Sequence, residues 1–130
     1  MIEHVYRRAA SCERLSEVYV ATCDREIFDA VLGFGGQAVM TAATHQRGAD
    51  RVAEAAEVIS THADVVLDIQ GDEPLIEPRA IAALCEAMEQ HPTAPCVNLA
   101  NVIAREEDFR NPNQVKVVCD RHDNALYMSR

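Results

Sequence analysis

Residues 63–78, ADVVLDIQ followed by GDEPLIEP, decide how the rest of the chain is read. The first eight are β-branched and almost wholly apolar, which predicts a strand buried on both faces, as in a parallel sheet. The next eight contain two prolines and a glycine, which predicts a turn-rich loop. Upstream, Val52, Ala55, Ala56 and Ile59 form an apolar stripe at helical spacing, with Asp50 near its start. Downstream, Ile81, Leu84, Cys85 and Met88 form another. Further out, 18–22 (VYVAT) and 37–41 read as short strands around a helix with Ile27, Phe28, Val31 and Leu32 on one face. Asp24 caps that helix, and Gly33, Gly35 and Gly36 end it. Ile2, Val5, Tyr6 and Ala9 open the chain on an amphipathic helix with no cap or lead-in strand. At the other end, 95–103 (PCVNLANVI) reads as a strand, REEDF as one helical turn and NPN (111–113) as a turn. QVKVVCD and NALYMSR flank the polar turn DRHDN as a hairpin. Strands that alternate with helices and then turn antiparallel predict an α/β, doubly wound fold with a mostly parallel, mixed sheet, residues 1–130 forming one domain.

Composition narrows the function. The 130 residues, 48% hydrophobic and 25% charged, suit one globular domain with a real core. Twelve Lys and Arg against 21 Asp and Glu give a net charge of −9. Phosphate backbones and anionic membranes repel such a chain, so neither nucleic acid nor membrane is expected as a partner. An anionic small substrate is still compatible, because a bound divalent cation reverses the local field. Cys12, Cys23, Cys85, Cys96 and Cys119 are odd in number and contain no C-x-x-C pair, which argues against a zinc site or a disulfide framework. The start has no apolar run like a signal peptide, and no stretch is long enough to span a bilayer. Reduced thiols in a cytoplasmic protein are the expectation.

Most motifs that carry chemistry are missing. GFGG (33–36) follows a helix, whereas a dinucleotide loop follows a strand, so it reads as a helix stop. There is no P-loop, no G-x-S-x-G elbow, and the five histidines are scattered. The informative stretch is Asp68-Ile69-Gln70-Gly71-Asp72-Glu73-Pro74. It sets carboxylates and an amide at the carboxyl end of a predicted parallel strand, where open α/β sheets bind ligands. Gly71 lets the backbone pass close to a ligand, and an aspartate there suits Mg²⁺, which takes hard oxygen donors. A solvated strand-end turn fits the same residues.

IQGDEPLI, and later NPNQVKVVCDRHDNALYMSR, closely resemble the 3-deoxy-manno-octulosonate (Kdo) cytidylyltransferases, the CMP-Kdo synthetase family. MIEHVYRRA, YVATCD and VMTAATHQRGADRVAEA follow the same family in order, so the resemblance covers the whole chain. It implies a Rossmann-like nucleotidyltransferase fold, a cytoplasmic homodimer, Mg²⁺, and CMP-Kdo synthesis for lipopolysaccharide. The anomeric hydroxyl of Kdo would attack the α-phosphorus of CTP, and pyrophosphate would leave. Residue by residue, it implies Asp72 as metal ligand and Gln70 beside the sugar. It sets His45, Gly48 and Arg51 near the cytidine, and Arg130, the end of Tyr127-x-Ser129-Arg130, near the sugar pocket. Arg51 fits a structural ion pair equally well, and Arg130 a terminal charge. Lys116 and Asn111 read as strand and turn residues.

Two departures stand out. Where the family has H-x-S-G-T-[DE]-R, this chain has His45-Gln46-Arg47-Gly48-Ala49-Asp50-Arg51, so two hydroxyl residues are replaced by Arg47 and Ala49. The family also begins with a strand and a basic triphosphate loop and continues past the Y-x-S-R motif, so the chain resembles a central portion of the enzyme. An inactive remnant that only folds or dimerises, and a cytidylyltransferase for another 2-keto sugar such as 8-amino-Kdo, are the alternatives. A doubly wound order also puts the first strand between 18–22 and 63–70. The chain is then expected to be incompletely folded alone, or to fill that gap by direct pairing, by swapping, or with a separate N-terminal piece.

Overall fold

In a computed structural model of the chain, residues 1–59 and 62–130 are described, and they divide into two compact units, Met1–Val97 and Asn98–Arg130. The first unit contains α1 (Ile2–Ala10), β1 (Val20–Thr22), α2 (Arg25–Gly33), β2 (Ala38–Met40), α3 (Gly48–Ile59) and α4 (Pro78–Gln90). β1 and β2 are parallel and joined through α2, with Val20, Ala21 and Thr22 opposite Ala38, Val39 and Met40. The ladder runs on through Val20 N–H to the Gln37 carbonyl and Thr41 N–H to the Thr22 carbonyl, each at 2.9 Å.

α2 is set by its ends. The Asp24 carboxylate accepts the Glu26 and Ile27 amides at 2.8 and 3.2 Å, satisfying donors that the first turn leaves open. At the other end Gly35 lies at φ +81°. At Gly36, a Cβ would sit 2.6 Å from the Phe34 ring and 2.8 Å from Val31 Cγ1. GFGG is therefore a helix stop that lets the chain fold back against Val31.

The core gathers on α1 and α4. Ala9, Cys12 and Ile81 are buried together, with Leu15, Val18, Leu67, Ile69 and Ile76 packed against them. Arg8 ties the same layer to the loop before α4, donating to the Ile76 carbonyl at 2.5 Å.

Residues 63–70 depart from expectation. They form no strand, and Val65–Ile69 make no backbone–backbone hydrogen bond among the described residues. The period-two pattern persists: Val65, Leu67 and Ile69 are half-buried, while Val66, Asp68 and Gln70 are exposed. Side chains thus alternate as in an extended chain, but a strand needs a ladder partner and none is found among the described residues. The expected strand at 95–103 is likewise absent. In place of one mixed sheet there are two pairs: parallel β1–β2, and an antiparallel hairpin in the second unit.

That second unit holds α5 (Glu106–Arg110), β3 (Lys116–Cys119) and β4 (Ala125–Ser129). Val117 faces Met128 and Val118 faces Tyr127, with a register shift before Cys119. Asp120 organises the turn by accepting the amides of His122 and Asn124 at 2.8 and 3.0 Å. With the Asn124 side chain, these bonds hold its carboxyl below the usual range. Among the described residues no helix is long and apolar enough to cross a membrane.

The α1–α4 core carries a stability prediction. Ile81 is fully buried and Leu75 is 80% exposed. Ile81→Ala should cost about 2–5 kcal/mol in urea unfolding, and Leu75→Ala less than about 0.5 kcal/mol. Equal shifts in midpoint would mean the core lies elsewhere.

Candidate functional site

The site is assembled in the first unit from the loop between β2 and α3, the first turn of α3, and the stretch 68–73. The loop is held by two residues of α3. Glu54 accepts the Ala42 amide through both oxygens, at 3.0 and 3.1 Å, and also the Nε2–H of His45. Arg51 donates to the Thr41 hydroxyl and, at 3.3 Å, to the Ala42 carbonyl. Thr41 is buried, so this clamp fixes the loop where it leaves the sheet.

The His45 hydrogen bond, then the Ala42 amide, hold the Glu54 carboxyl below its ordinary value of 4.5, against an opposing contribution from burial. Glu54 was not apparent from the motif reading. The available signal was an acidic residue set between Val52 and Ala55 on the apolar side of a predicted helix.

α3 begins at Gly48 and carries Asp50 in its first turn, near the start as expected. A Cβ on Gly48 would lie 3.2 Å from Gln70 Nε2 and 3.7 Å from Asp68 Oδ2. Gln70 in turn donates to Asp68 Oδ1 at 2.9 Å. The helix start and the end of the 63–70 stretch therefore meet, through a pair of side chains 22 and 20 residues beyond Gly48 in sequence. The next residues turn sharply: the Glu73 amide donates to the Gln70 carbonyl at 3.2 Å, and Ile76 to Glu73 at 3.1 Å. Asp72 is exposed within that turn.

Gly48 and Gln70 are thus brought together, His45 and Arg51 are tied to the neighbouring loop, and Asp72 lies two residues beyond Gln70. Arg130 belongs to the second unit, where it lines a cavity of about 360 Å³ with Phe109, Lys116 and Tyr127. Among the described residues no group of three or more His, Cys, Asp or Glu side chains could close around a metal. Mg²⁺ keeps waters and is commonly bound through one or two carboxylates plus substrate phosphates, and Asp72 offers one free carboxylate at an exposed turn.

The Glu54 clamp gives a pH dependence with a definite sign. A carboxyl depressed in the folded state contributes stability that is present above its unfolded value and lost as pH falls through the folded one. Unfolding in urea from pH 6 to pH 3 should therefore show a loss starting below about pH 4.5. Glu54→Gln should be less stable than wild type at pH 6 and flatter across this range. A parallel pair of curves would contradict the clamp.

Comparison with known proteins places this geometry. A family model described as cytidylyltransferase matches residues 1–130. The 3-deoxy-manno-octulosonate cytidylyltransferase of Syntrophus aciditrophicus is 47% identical over 131 residues, covering all of this chain and 53% of the relative. The 8-amino-3,8-dideoxy-manno-octulosonate cytidylyltransferase of Shewanella piezotolerans is 43% identical over 132 residues, covering all of this chain and 54% of the relative. Among solved structures, a CMP:2-keto-3-deoxy-manno-octonic acid synthetase complexed with CTP superposes with a TM-score of 0.91 at 40% identity, over 98% of this chain and 52% of that one. The chain spans about half the length of the curated relatives it matches. Matched from its first residue to its last, it belongs to the cytidylyltransferase family.

Proposed function

We propose that this chain forms part of an enzyme that transfers CMP from CTP to 3-deoxy-manno-octulosonate, releasing pyrophosphate. The observation that carries the reading is the superposition of nearly the whole chain on a synthetase that holds CTP, at 40% identity. Little covalent chemistry falls to the protein in such a transfer, and positioning with charge neutralisation supplies most of the rate.

In this reading the clamped loop 41–47 and the first turn of α3 form the cytidine side, and Gln70 and Asp72 the reacting side. Arg51 supports the cytidine side by fixing Thr41 and Ala42. Gln70 spends an amide hydrogen on Asp68, which leaves Oε1 to accept a hydroxyl of the sugar. Asp72 would hold Mg²⁺, which when bound neutralises phosphate charge on CTP. Arg47 and Ala49 stand where the family pattern has hydroxyls, so the Ala49 side chain makes no hydrogen bond to the nucleotide and Arg47 can donate but not accept one.

The Shewanella relative favours a second reading, with the 8-amino sugar as acceptor, since it matches the whole chain at 43%. The transfer is tested in a chimera, in which residues 1–130 replace the matching stretch of the Syntrophus enzyme. With CTP and Mg²⁺, the chimera should release pyrophosphate on addition of 3-deoxy-manno-octulosonate and little with the 8-amino sugar. Asp72→Asn should lower its turnover by about a hundredfold or more. A folded chimera without turnover, or an Asp72→Asn variant at full rate, would overturn the assignment.

The 130 residues alone should release no pyrophosphate above background in the same assay. In the loop and first turn of α3, Arg51 is engaged with Thr41, which leaves Arg47 to face three phosphates in a chain of charge −9. Robust turnover would mean the triphosphate is held by residues other than these.

A further inference from the structure

Glu54 of α3 meets two groups of the loop before it. Both of its oxygens accept the Ala42 amide, at 3.0 and 3.1 Å, and Oε2 also meets His45 Nε2. A backbone amide can only donate, so both oxygens act as acceptors there. The His45 bond, then the Ala42 amide, hold the carboxyl below its ordinary value. A carboxylate has no hydrogen to give, so the proton between Glu54 and His45 belongs to Nε2. A neutral imidazole carries one N–H, which leaves Nδ1 as a bare acceptor.

Nδ1 is also open. Only Nε2 of His45 is hydrogen-bonded, and among the described residues no buried side-chain nitrogen or oxygen lacks a partner. The His45 side chain is 22% exposed. The ring is thus held through one nitrogen and offers the other to solvent.

We propose that Glu54 is a positioning residue for nucleotide binding: by fixing His45 as the Nε2–H tautomer, it makes Nδ1 an acceptor for a donor hydrogen of the nucleoside, on the exocyclic amine of cytosine or on a ribose hydroxyl. This role rests on loop 41–47 being the cytidine side of the site. Polarity selects the ligand group. Ionised phosphate oxygens accept hydrogen bonds and donate none, so a bare Nδ1 does not suit the triphosphate. Arg47, exposed two residues along the loop, has only donors and suits the phosphates instead. The donors left on CTP are those of its nucleoside.

Glu54→Gln is nearly isosteric and reverses this polarity. Its Oε1 can still accept the Ala42 amide, while its Nε2–H donates to His45 Nε2. The ring must then carry its proton on Nδ1, which sets a donor against the nucleoside's donor.

The test uses the chimera described above, with ¹⁵N-labelled histidine, at about pH 8.5, above the ordinary imidazole pKa of about 6.5. Resonances lost in His45→Gln identify the ring. Without nucleotide, it should show a protonated Nε2 and a bare Nδ1. Saturating CTP should move Nδ1 into the hydrogen-bonded range and leave Nε2 nearly unmoved. Glu54→Gln should exchange the two nitrogens' signatures. It should raise the KM for CTP about tenfold or more, with kcat changed less than about twofold, because the lost contact is one of binding. Competition by UTP separates the two donors. UTP affinity unchanged by Glu54→Gln assigns the exocyclic amine, and affinity that falls with that of CTP assigns a ribose hydroxyl.

Three results would overturn the proposal: a free ring protonated on Nδ1, an Nδ1 unmoved by bound CTP, or a Glu54→Gln variant that loses kcat alone, as structural damage would produce. The two wild-type spectra decide even where Glu54→Gln folds poorly. The wrong tautomer in a chimera that turns over would overturn this role alone. The expected tautomer in a chimera that binds no CTP would overturn it together with the transfer reading.

Discussion

A β-strand is half of an interaction, and the structure turns on a half that is not completed. Residues 65–69 have the composition and the alternating burial of a buried strand, yet their amides and carbonyls find no ladder partner among the described residues. Every unpaired backbone group withheld from water costs on the order of 1–3 kcal/mol. An arrangement that leaves this row lining an open cavity exposes it to solvent instead. Leu67 and Ile69, which pack on Ala9, Cys12 and Ile81, stay half-buried.

The candidate site hangs from this incomplete row. Gln70 and Asp68 are the last outward-facing residues of the stretch, and they meet the start of α3 because position 48 has no side chain to hold them off. α3 also carries Glu54 and Arg51, which reach back to the loop at its own N-terminal side. One helix thus sets both the loop 41–47 and its distance from residues 68–70. The turn at 70–73 is in turn steadied by Arg8 on the neighbouring carbonyl of Ile76, so α1 reaches the site at one remove.

Local signals were legible in the sequence. The apolar stripes of α1, α2, α3 and α4, the Asp24 cap, the glycine stop after α2 and the terminal hairpin all depend on residues near one another in the chain, and all are present. What was not legible depends on partners far away. The runs 63–70 and 95–103 carry strand composition, but a ladder is a property of two segments, and composition reports on one. β1 and β2 form over only three residues each for the same reason, with Val20–Thr22 supported on one edge. At the site, Gln70 and Asp72 stood out at the end of a predicted strand and His45 through the family resemblance, while Glu54 gave only the weak signal of an acid beside the apolar stripe of a helix. Its role lies in an approach between helix and loop, which the 3.6-residue period does not encode.

Native-state hydrogen exchange on the 130-residue chain alone tests the unmade ladder most directly. The amides of Val65, Val66, Leu67, Asp68 and Ile69 should exchange through local fluctuation, far faster than those of Val20 and Thr41, which donate across the β1–β2 ladder at 2.9 Å. Protection of residues 65–69 equal to that of Val20 and Thr41 would show that these residues are laddered in the free chain, and would contradict the account.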